Sequence, residues 1–325
     1  MPRSLRKNWK IADPGKLNGS DLIHMHVRVE DICKAYNGRV VIEDVSFDAR
    51  AGFILGVLGP ENAGKTTALR MLLNIVKPDT GLISYDDMPL SARIRDAIGY
   101  LPEERGLYQN DPLNKMLIHF ARLKNLSRKK ASVEAVRLMD RFNIIDKMDV
   151  PVLDLSPDVQ QKVQMMCAII HNPDLIILDE PFKGLSPNNV ELMGKLLQRF
   201  KDEGKTVVLA TSQLDEAEKI CDQVLLLNNG RIVLQDNISK IHKKFRENLI
   251  KVQADDDLSS LQSIYGVKKF VQENQTARLY IDTKIPPQKI LDVIIKSVNV
   301  SRVEVNRPTL NDIFLQLVNG QSKEL

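Results

Sequence analysis

The chain has 325 residues, of which 43% are hydrophobic and 27% are charged, a balance typical of a folded protein with a sizeable core. No apolar stretch approaches the roughly 18 uninterrupted residues that span a bilayer, and no apolar signal-peptide core is visible near the N-terminus. Three widely spaced cysteines without a Cys-x-x-Cys pair argue against a disulfide framework or a cysteine-based zinc site, as expected in a reducing cytoplasm. We therefore expect any membrane role to depend on another chain.

The formal net charge of +4 comes from the first 20 residues, which carry five basic residues and one acidic residue. The rest of the chain is neutral, which argues against nucleic acid as the main partner. We expect residues 1–22 to form a solvated, disordered tail. The alternative is that this basic segment, which contains the only tryptophan, Trp9, touches an anionic membrane surface.

The first predicted elements after the tail are strands. The alternating segments Val27–Glu30 and Val40–Glu43 indicate half-buried antiparallel strands. Phe53–Leu58 is a continuous apolar strand, and it is followed by a glycine-bearing turn and a helix from about Gly64 to Val76.

A helical region comes next, from Asp111 to Arg141. Asp111 and Pro112 suit the N-cap and the first position of one helix, and Ser127 suits the start of a second.

Strands then alternate with helices, which indicates a parallel sheet covered on both faces. The predicted elements are the strand Leu175–Leu178, the helix Pro187–Phe200, the strand Thr206–Ala210, the helix Gln213–Ile220 and the strand Gln223–Leu227.

The composition changes after Lys240, where Ile241–Arg246 indicates a basic connector. The rest predicts a small α+β domain. Its predicted elements are the strands Leu249–Val252, Leu279–Ile281 and Arg302–Val305 and the helices Pro287–Ser297 and Leu310–Val318. We place the main domain at residues 23–240 and the small domain at residues 241–325.

A phosphate-binding loop of the pattern G-x-x-x-x-G-K-[ST] follows the Phe53–Leu58 strand. Its residues are Gly59, Pro60, Glu61, Asn62, Ala63, Gly64, Lys65 and Thr66, with Thr67 next in the same site. Successive N–H groups in such a turn form an anion nest at a helix N-terminus. Lys65 would add a positive charge at the β and γ phosphates, and the Thr66 hydroxyl would bind Mg²⁺. We therefore expect this segment to bind ATP.

A pair of acidic residues, Asp179 and Glu180, follows the apolar strand Leu175–Leu178. Asp179 would hold Mg²⁺ through water, and the adjacent Glu180 would polarise the attacking water as a general base.

These motifs, in this order, resemble those of the ABC transporter ATPases over about residues 26–240. The resemblance places Tyr36 against the adenine base; the alternative for Tyr36 is a half-buried residue at a strand end. It identifies residues 179–187 as the segment that runs into the loop crossing the family's dimer, and residues 99–108 as the loop that touches the membrane subunit. Residues 155–162 occupy the place of the family signature. The signature positions are Ser156, Pro157, Asp158, Val159 and Gln160.

The resemblance implies an α/β fold class: a P-loop NTPase of the ABC type with a parallel sheet core, an antiparallel β subdomain and a helical subdomain, plus the small α+β domain. Residues 308–314 resemble part of an accessory domain on a bacterial subgroup linked to export, including sodium efflux. The implied cofactors are ATP and Mg²⁺. The implied partners are transmembrane permease subunits and a second ATPase chain, the same or different, at the cytoplasmic face of the membrane.

Four positions depart from the family pattern. The second signature glycine is Asp158, the crossing-loop aspartate is Ser186, the switch histidine is Gln213 and the loop glutamine is Glu103. Glu103 can still meet Mg²⁺, and Gln213 keeps a neutral N–H donor at a position expected to be catalytic.

Asp158 is the severe departure, because a carboxylate facing the partner's γ-phosphate about 4 Å away would be repelled by roughly 4 kcal/mol. The alternative is a well-capped helix start, with Ser156 as N-cap, Pro157 at the first position and Asp158 near the positive end of the dipole. We favour this helix start, which keeps the helix but weakens it as an anion receptor.

Two functions follow. The first is the ATP-hydrolysing subunit of an exporter with slow or asymmetric turnover. The second is a nucleotide-binding regulatory subunit with little turnover. A cassette protein of translation or DNA repair is disfavoured, because a second cassette or a long coiled coil is missing. We expect the helices over residues 112–141 and the loop over residues 103–108 to form the face that docks a membrane subunit.

Overall fold

A computed structural model describes residues 25–104, 106–245, 248–282, 284–306 and 308–321. The predicted tail at residues 1–22, Trp9 and the first two residues of the predicted main domain lie outside the described residues, as does Arg105 in the predicted docking loop. None of the helices in the described ranges is long and apolar enough to cross a membrane.

The strands and helices of the described residues follow the chain order. The strands are β1 (Val27–Tyr36), β2 (Arg39–Ala49), β3 (Ile54–Leu58), β4 (Thr80–Tyr85), β5 (Ile98–Leu101), β6 (Leu175–Asp179), β7 (Thr206–Thr211), β8 (Gln223–Asn228), β9 (Arg231–Asn237), β10 (Asn248–Ala254), β11 (Val267–Glu273), β12 (Thr276–Ile281) and β13 (Val300–Asn306). The helices are α1 (Lys65–Leu72), α2 (Ala92–Asp96), α3 (Leu113–Leu123), α4 (Arg128–Arg141), α5 (Pro157–Ile169), α6 (Pro187–Asp202), α7 (Leu214–Ile220), α8 (Ile238–Lys244), α9 (Pro287–Ser297) and α10 (Leu310–Gln321).

A six-stranded sheet of order β5-β6-β7-β3-β8-β9 forms the centre of the chain. Strands β5, β6, β7, β3 and β8 are parallel, and only β9 at the edge is antiparallel. Every residue of β3, β6 and β7 is buried, which explains why apolar residues run without alternation through the middle of each strand. The predicted parallel sheet core is confirmed.

A separate three-stranded antiparallel sheet of order β2-β1-β4 packs beside this core. The two predicted strands in this region belong to it, as parts of β1 and β2. Its alternating burial, with Val27 and Val29 inside and Arg28 and Glu30 outside, is the one-sided burial that the sequence pattern indicates.

The C-terminal part contains a four-stranded antiparallel sheet of order β11-β12-β10-β13, covered by α9 over its own apolar core. Helix α10 packs elsewhere. Its buried Leu310 and Ile313 join the core that also contains Leu214 and Ala217 of α7. The Leu310 N–H donates to the Glu218 carboxylate of α7 at 2.9 Å, so the chain returns to the central sheet after β13.

Several sequence predictions need correction in their local details. The helix expected from Gly64 to Val76 ends at Leu72. Pro112 is the N-cap of α3, without a side-chain hydrogen bond, and Asp111 pairs instead with Lys115 at 2.7 Å. Ser127 caps α4 as predicted, by accepting the Lys130 N–H.

The connector predicted from Ile241 is largely helical, since α8 covers Ile238–Lys244. The domain boundary predicted after Lys240 therefore falls within a helix, and the domain limits stay a prediction.

A two-residue turn at Asn229 and Gly230 joins β8 to β9 and supports the phosphate loop. Both residues have positive φ angles, 48° and 79°, as the tight hairpin turns of antiparallel strands require. The Gly230 N–H donates to the Ala63 carbonyl at 3.1 Å, and its carbonyl accepts from the Glu43 N–H at 2.9 Å. The turn thus ties the phosphate loop to β2.

We expect Gly230→Ala to lower the free energy of unfolding more than Gly38→Ala, a matched change at another hairpin glycine whose φ is also 79°. Each change imposes a left-handed backbone on alanine, at about 1–2 kcal/mol. Only at Gly230 would the new Cβ meet backbone, 2.4 Å from the Val41 carbonyl oxygen, whereas nothing lies within 4 Å at Gly38. Urea denaturation of both variants measures the difference, and equal losses would contradict the crowding at Gly230.

Candidate nucleotide-binding site

A cavity of about 910 Å³ lies at the carboxyl end of the central sheet. It brings together most of the predicted site residues. Those that line it are Glu61, Asn62, Gly64, Lys65, Thr66, Thr67, Glu103, Glu180 and Gln213. Gly59, Pro60 and Ala63 belong to the same loop but do not line the cavity, and Asp179 lies fully buried behind it.

Lys65 is the buried cation of this cavity. Its ammonium group donates to the carbonyls of Gly59 and Pro60, at 3.0 and 2.9 Å. The same group lies 3.5 Å from the Glu180 carboxylate. The loop thus curls around its own lysine and holds a positive charge at the floor of the cavity.

The first turn of α1 is suited to an anion. Gly64, the N-cap, has a φ of 104° and offers no side chain to cap the helix, and no acidic residue lies in the first turn. A Cβ at Gly64 would lie 2.6 Å from Ile42 Cδ1, so the loop also needs glycine there for space. The N–H groups of this turn, together with the helix dipole, can bind phosphate.

Glu180 is held in a fixed position by the segment that follows β7. One carboxylate oxygen accepts the Thr211 hydroxyl at 2.8 Å, and the other accepts the Ser212 N–H at 2.9 Å. Its backbone lies in the left-handed region, with a φ of 48°, which is rare for a glutamate and typical of functional positions. The carboxylate is therefore placed by both its backbone and its partners.

Asp179 ends β6 with both carboxylate oxygens buried and without a hydrogen-bond partner among the described residues. Burial raises the pKa of its carboxyl to about 6; the carboxylates of Glu103 and Glu180 act in the same direction, and Thr66 and Lys65 oppose them. A buried carboxylate without donors is what a divalent cation would satisfy, and Thr66 and Glu103 supply further oxygen atoms of the kind Mg²⁺ prefers. The donor set therefore fits Mg²⁺. Within the described residues, no group of three or more His, Cys, Asp or Glu side chains could hold a metal ion, so phosphate oxygens or water would have to complete the shell.

Glu103 is paired with a cation that sequence reasoning did not assign. The Lys183 ammonium donates to the Glu103 carboxylate at 2.8 Å across the mouth of the cavity. This hydrogen bond raises the pKa of the Lys183 side chain. The acid at position 103 is thus accompanied by a cation. Lys183 stands in the segment 179–187 that the resemblance identifies, but only the fold shows that it faces Glu103.

Gln213 lines the cavity as the N-cap of α7. Its backbone N–H donates to the Thr211 hydroxyl at 3.1 Å, and that hydroxyl also donates to Glu180. The switch position and the acidic position are therefore connected through one threonine.

The signature positions form the expected helix start away from this cavity. Ser156 caps α5 by accepting the Val159 N–H at 3.4 Å, and Pro157 takes the first helical position. The Gln160 side chain donates to the carbonyls of Val152 and Leu155, which fixes the turn before the helix.

The Asp158 carboxylate lies against residues of its own chain. It accepts the Ser186 N–H at 2.8 Å and the side-chain amide of Asn189. The carboxylate is thus turned toward its own crossing loop, whereas the repulsion estimated from the sequence took it to face a partner's γ-phosphate; that estimate stays a prediction.

Tyr36 is not among the cavity-lining residues. It ends β1 as an exposed residue, with the Lys34 ammonium 5.5 Å from its ring centroid. The adjoining strand contributes Arg39, Val40 and Val41 to the lining instead, three residues that sequence reasoning missed. Their position just after Asn37–Gly38 was the available signal, because a tight turn there brings β2 back beside β1.

Two family models match the chain, the ABC transporter model over residues 42–183 and that of the C-terminal domain of DrrA1-3-like ATP-binding proteins over residues 237–318. YhaQ of Bacillus subtilis, an ABC transporter ATP-binding protein, is 32% identical over 90% of this chain and 98% of its own length. The chain belongs to the ABC transporter ATP-binding proteins. This is a family of ATPases, and the sequence-based recognition of it is confirmed.

Other relatives and solved structures agree with this membership of the ABC family. The Nod factor export ATP-binding protein I of Sinorhizobium fredii is 29% identical over 92% of this chain and 87% of its own. The structure of an ATP-binding subunit of an ABC transporter superposes with a TM-score of 0.62 at 28% identity, over 67% of this chain and 92% of that one. CbiO1 of Clostridium perfringens, part of the ABC transporter complex cbiONQ, gives a TM-score of 0.60 at 25% identity, over 67% and 90%.

The buried charge of Asp179 predicts a specific pH dependence for this ABC protein without nucleotide or Mg²⁺. Because an unfolded aspartate titrates near 3.9, the folded state binds the proton more tightly, and the free energy of unfolding falls as the pH rises from about 4 to 6. We expect Asp179→Asn to be more stable than the wild type near pH 7.5, by roughly 2–3 kcal/mol, and this advantage to shrink toward pH 4. Urea denaturation across this range measures it. A difference that stays constant with pH would contradict the raised pKa.

Proposed function

We propose that this chain binds Mg·ATP and hydrolyses it to drive a separate membrane subunit of an exporter, at the cytoplasmic face of the membrane. The observation that carries the proposal is that Lys65 and Glu180 line one cavity at the end of the central sheet, with the buried carboxylate of Asp179 behind it. These three residues provide a phosphate-binding cation, a cation-binding carboxylate and a second carboxylate beside them.

The roles follow from the geometry. Lys65 and the first turn of α1 would bind the β and γ phosphates. Thr66, Asp179 and Glu103 would hold Mg²⁺, which neutralises charge on the phosphates when it is bound. Glu180, fixed by Thr211 and Ser212, would orient and polarise the attacking water.

Neighbouring residues complete the proposed site. Lys183 would be released from Glu103 when Mg²⁺ engages that carboxylate, which leaves its positive charge at the mouth of the cavity. Gln213 would donate an N–H toward the γ-phosphate, and the adenine would lie against Val40 or Tyr36 at the strand ends.

Export is supported by the relatives, several of which are Nod factor export ATP-binding proteins. They do not identify the cargo of this chain, which in this arrangement the membrane subunit selects.

A groove of about 340 Å³ between β5 and the helices α3 and α5 is the proposed docking site for the membrane subunit. Apolar residues, among them Leu107, Phe120 and Leu123, line it together with Gln164 and His171. Gln164 Oε1 and His171 Nδ1 are buried without a hydrogen-bond partner in the described part of the chain. The groove therefore suits a helix or loop that offers apolar side chains and a few N–H or O–H donors.

The side chain of Gln164 also connects this groove to the loop that lines the ATP cavity. Its amide nitrogen donates to the carbonyls of Pro102 and Glu104, at 2.6 and 3.1 Å. Because Glu103 lies between these two residues, an occupant of the groove would press on the same loop that lines the ATP cavity.

The second candidate is a regulatory subunit that binds nucleotide with little turnover, as one of two cassettes, alike or unlike. Gln213 favours it, because glutamine lacks the charge and protonation of the family histidine. The ATPase rate of the assembled complex separates the two candidates, since a rate near zero with intact nucleotide binding would leave only the regulatory role.

The first test concerns the nucleotide site. We expect Mg·ATP to raise the melting temperature of the wild-type chain, since a ligand at about 100 times its Kd adds roughly 2.7 kcal/mol of stability. Lys65→Ala should abolish this shift, because it removes the buried cation. Lys115→Ala is the control and should keep the shift, because within the described residues this exposed lysine forms an ion pair with Asp111 alone. An undiminished shift in Lys65→Ala would place the nucleotide elsewhere.

The second test concerns docking. Leu123 lines the groove and is 61% exposed. We therefore expect the Leu123→Glu variant to fold normally as an isolated chain but to lose association with the membrane subunit. Ile295→Glu is the matched control, because Ile295 is 62% exposed on α9 and does not line the groove. Co-purification should fall at least tenfold for the first variant only, with the Mg·ATP thermal shift retained in both. Equal co-purification of the two variants would contradict the groove as the docking site.

A further inference from the structure

The signature helix and the crossing loop are joined within one chain by the Asp158 carboxylate. One oxygen accepts the Ser186 N–H at 2.8 Å, and the other accepts the side-chain amide of Asn189. The same amide donates to the Ser186 hydroxyl at 3.0 Å. Asp158 at the start of α5 thus forms a closed cluster with Ser186 and Asn189 at the start of α6, which lie 28 and 31 positions later in the chain.

The positions of two helix N-termini stabilise the Asp158 carboxylate in this cluster. Ser186 is the N-cap of α6, and its N–H belongs to the helix end that attracts negative charge. Asp158 lies in the first turn of α5, so the carboxylate stands near the positive ends of two helices at once. Carboxylates that accept N–H donors at such ends form strong, short contacts.

The cluster also links two of the four positions that depart from the family pattern. The crossing loop has serine where the family has an aspartate, and the signature has an aspartate where the family has a glycine. The carboxylate missing from residue 186 is therefore supplied from residue 158, within hydrogen-bond distance of residue 186. Asn189 completes the arrangement, because its amide contacts both residues.

We propose that Asp158 and Asn189 are positioning residues that hold the crossing loop against the signature helix, so that both segments meet a second cassette as one surface. This rests on the proposed function and on the second ATPase chain that the family resemblance implies as a partner. In this arrangement the carboxylate is occupied by two N–H donors of its own chain. Removal of the carboxylate should therefore slow turnover. If the carboxylate instead repelled the partner's phosphate, its removal would make turnover faster.

The kinetic test uses the assembled complex and four variants: Asp158→Gly, Asn189→Ala, the double change, and Asn188→Ala as the control. Asn188 is the adjacent exposed asparagine on the same turn of α6. We expect each of the first two single changes to lower kcat about tenfold with KM for ATP little changed, because the chain's own phosphate loop is untouched. The double change should cost less than the sum of the two single changes, since both single changes break the contact between Asp158 and Asn189. The control should match the wild type.

Faster turnover in Asp158→Gly with an unchanged Asn189→Ala would overturn the proposal in favour of repulsion. Additive losses would overturn it as well, because they would assign the two residues separate roles.

A second measurement does not depend on turnover. Amide hydrogen exchange over residues 183–190, in the nucleotide-free chain, should accelerate at Ser186 in Asp158→Gly and Asn189→Ala and not in Asn188→Ala. Unchanged exchange in the first two variants would overturn the contact itself. If the wild-type complex does not hydrolyse ATP, the proposed function fails, while the exchange rates still decide whether these residues position the crossing loop.

Discussion

The neighbouring parallel strands β6, β7 and β3 end at the same edge of the buried central sheet. The candidate nucleotide-binding site depends on this common edge. In the register of the sheet, Leu58 at the end of β3 lies beside Thr211 at the end of β7, and Asp179 at the end of β6 lies beside Ala210. The phosphate loop, Glu180 and the segment leading to Gln213 are the first residues after these three ends. Ligands of open α/β sheets bind at such carboxyl edges. Burial of the strands therefore places the phosphate loop beside groups that lie more than a hundred residues later in the chain.

Two of the residues that depart from the family pattern, Glu103 and Asp158, contact partners from distant parts of the sequence in the fold. Glu103 adds an acid near the cation-binding position, and the Lys183 ammonium group pairs with it. Asp158 adds an acid to the signature, and the N–H groups of Ser186 and Asn189 satisfy it. Each new carboxylate thus has a partner from a different segment of the same chain.

Sequence patterns predicted the parts of the fold that local chemistry determines. The continuous apolar runs became buried central strands, the alternating runs became the antiparallel sheet, and the capping residues Ser127 and Ser156 begin their helices. What could not be predicted depends on contacts between distant residues. The partner of Asp158 is 28 positions away, and that of Glu103 is 80 positions away. The position of Tyr36 outside the cavity lining likewise depends on how two strands end, which no spacing in the sequence reveals.

The C-terminal part shows the same dependence on long-range packing and explains how Gln213 is held. Helix α7 begins directly after Gln213, and its short length gives it little stability of its own. At its start, Thr211 fixes the Gln213 backbone. Toward its other end, Glu218 accepts the Leu310 N–H of α10 and pairs with His242 at 2.9 Å, while Leu310 and Ile313 pack on the apolar face. The helix that carries the switch position is therefore stabilised from both sides, by the central sheet at one end and by the returning C-terminal chain at the other. A helix of seven residues can keep a defined position under these conditions because tertiary contacts, rather than intrinsic propensity, supply its stability.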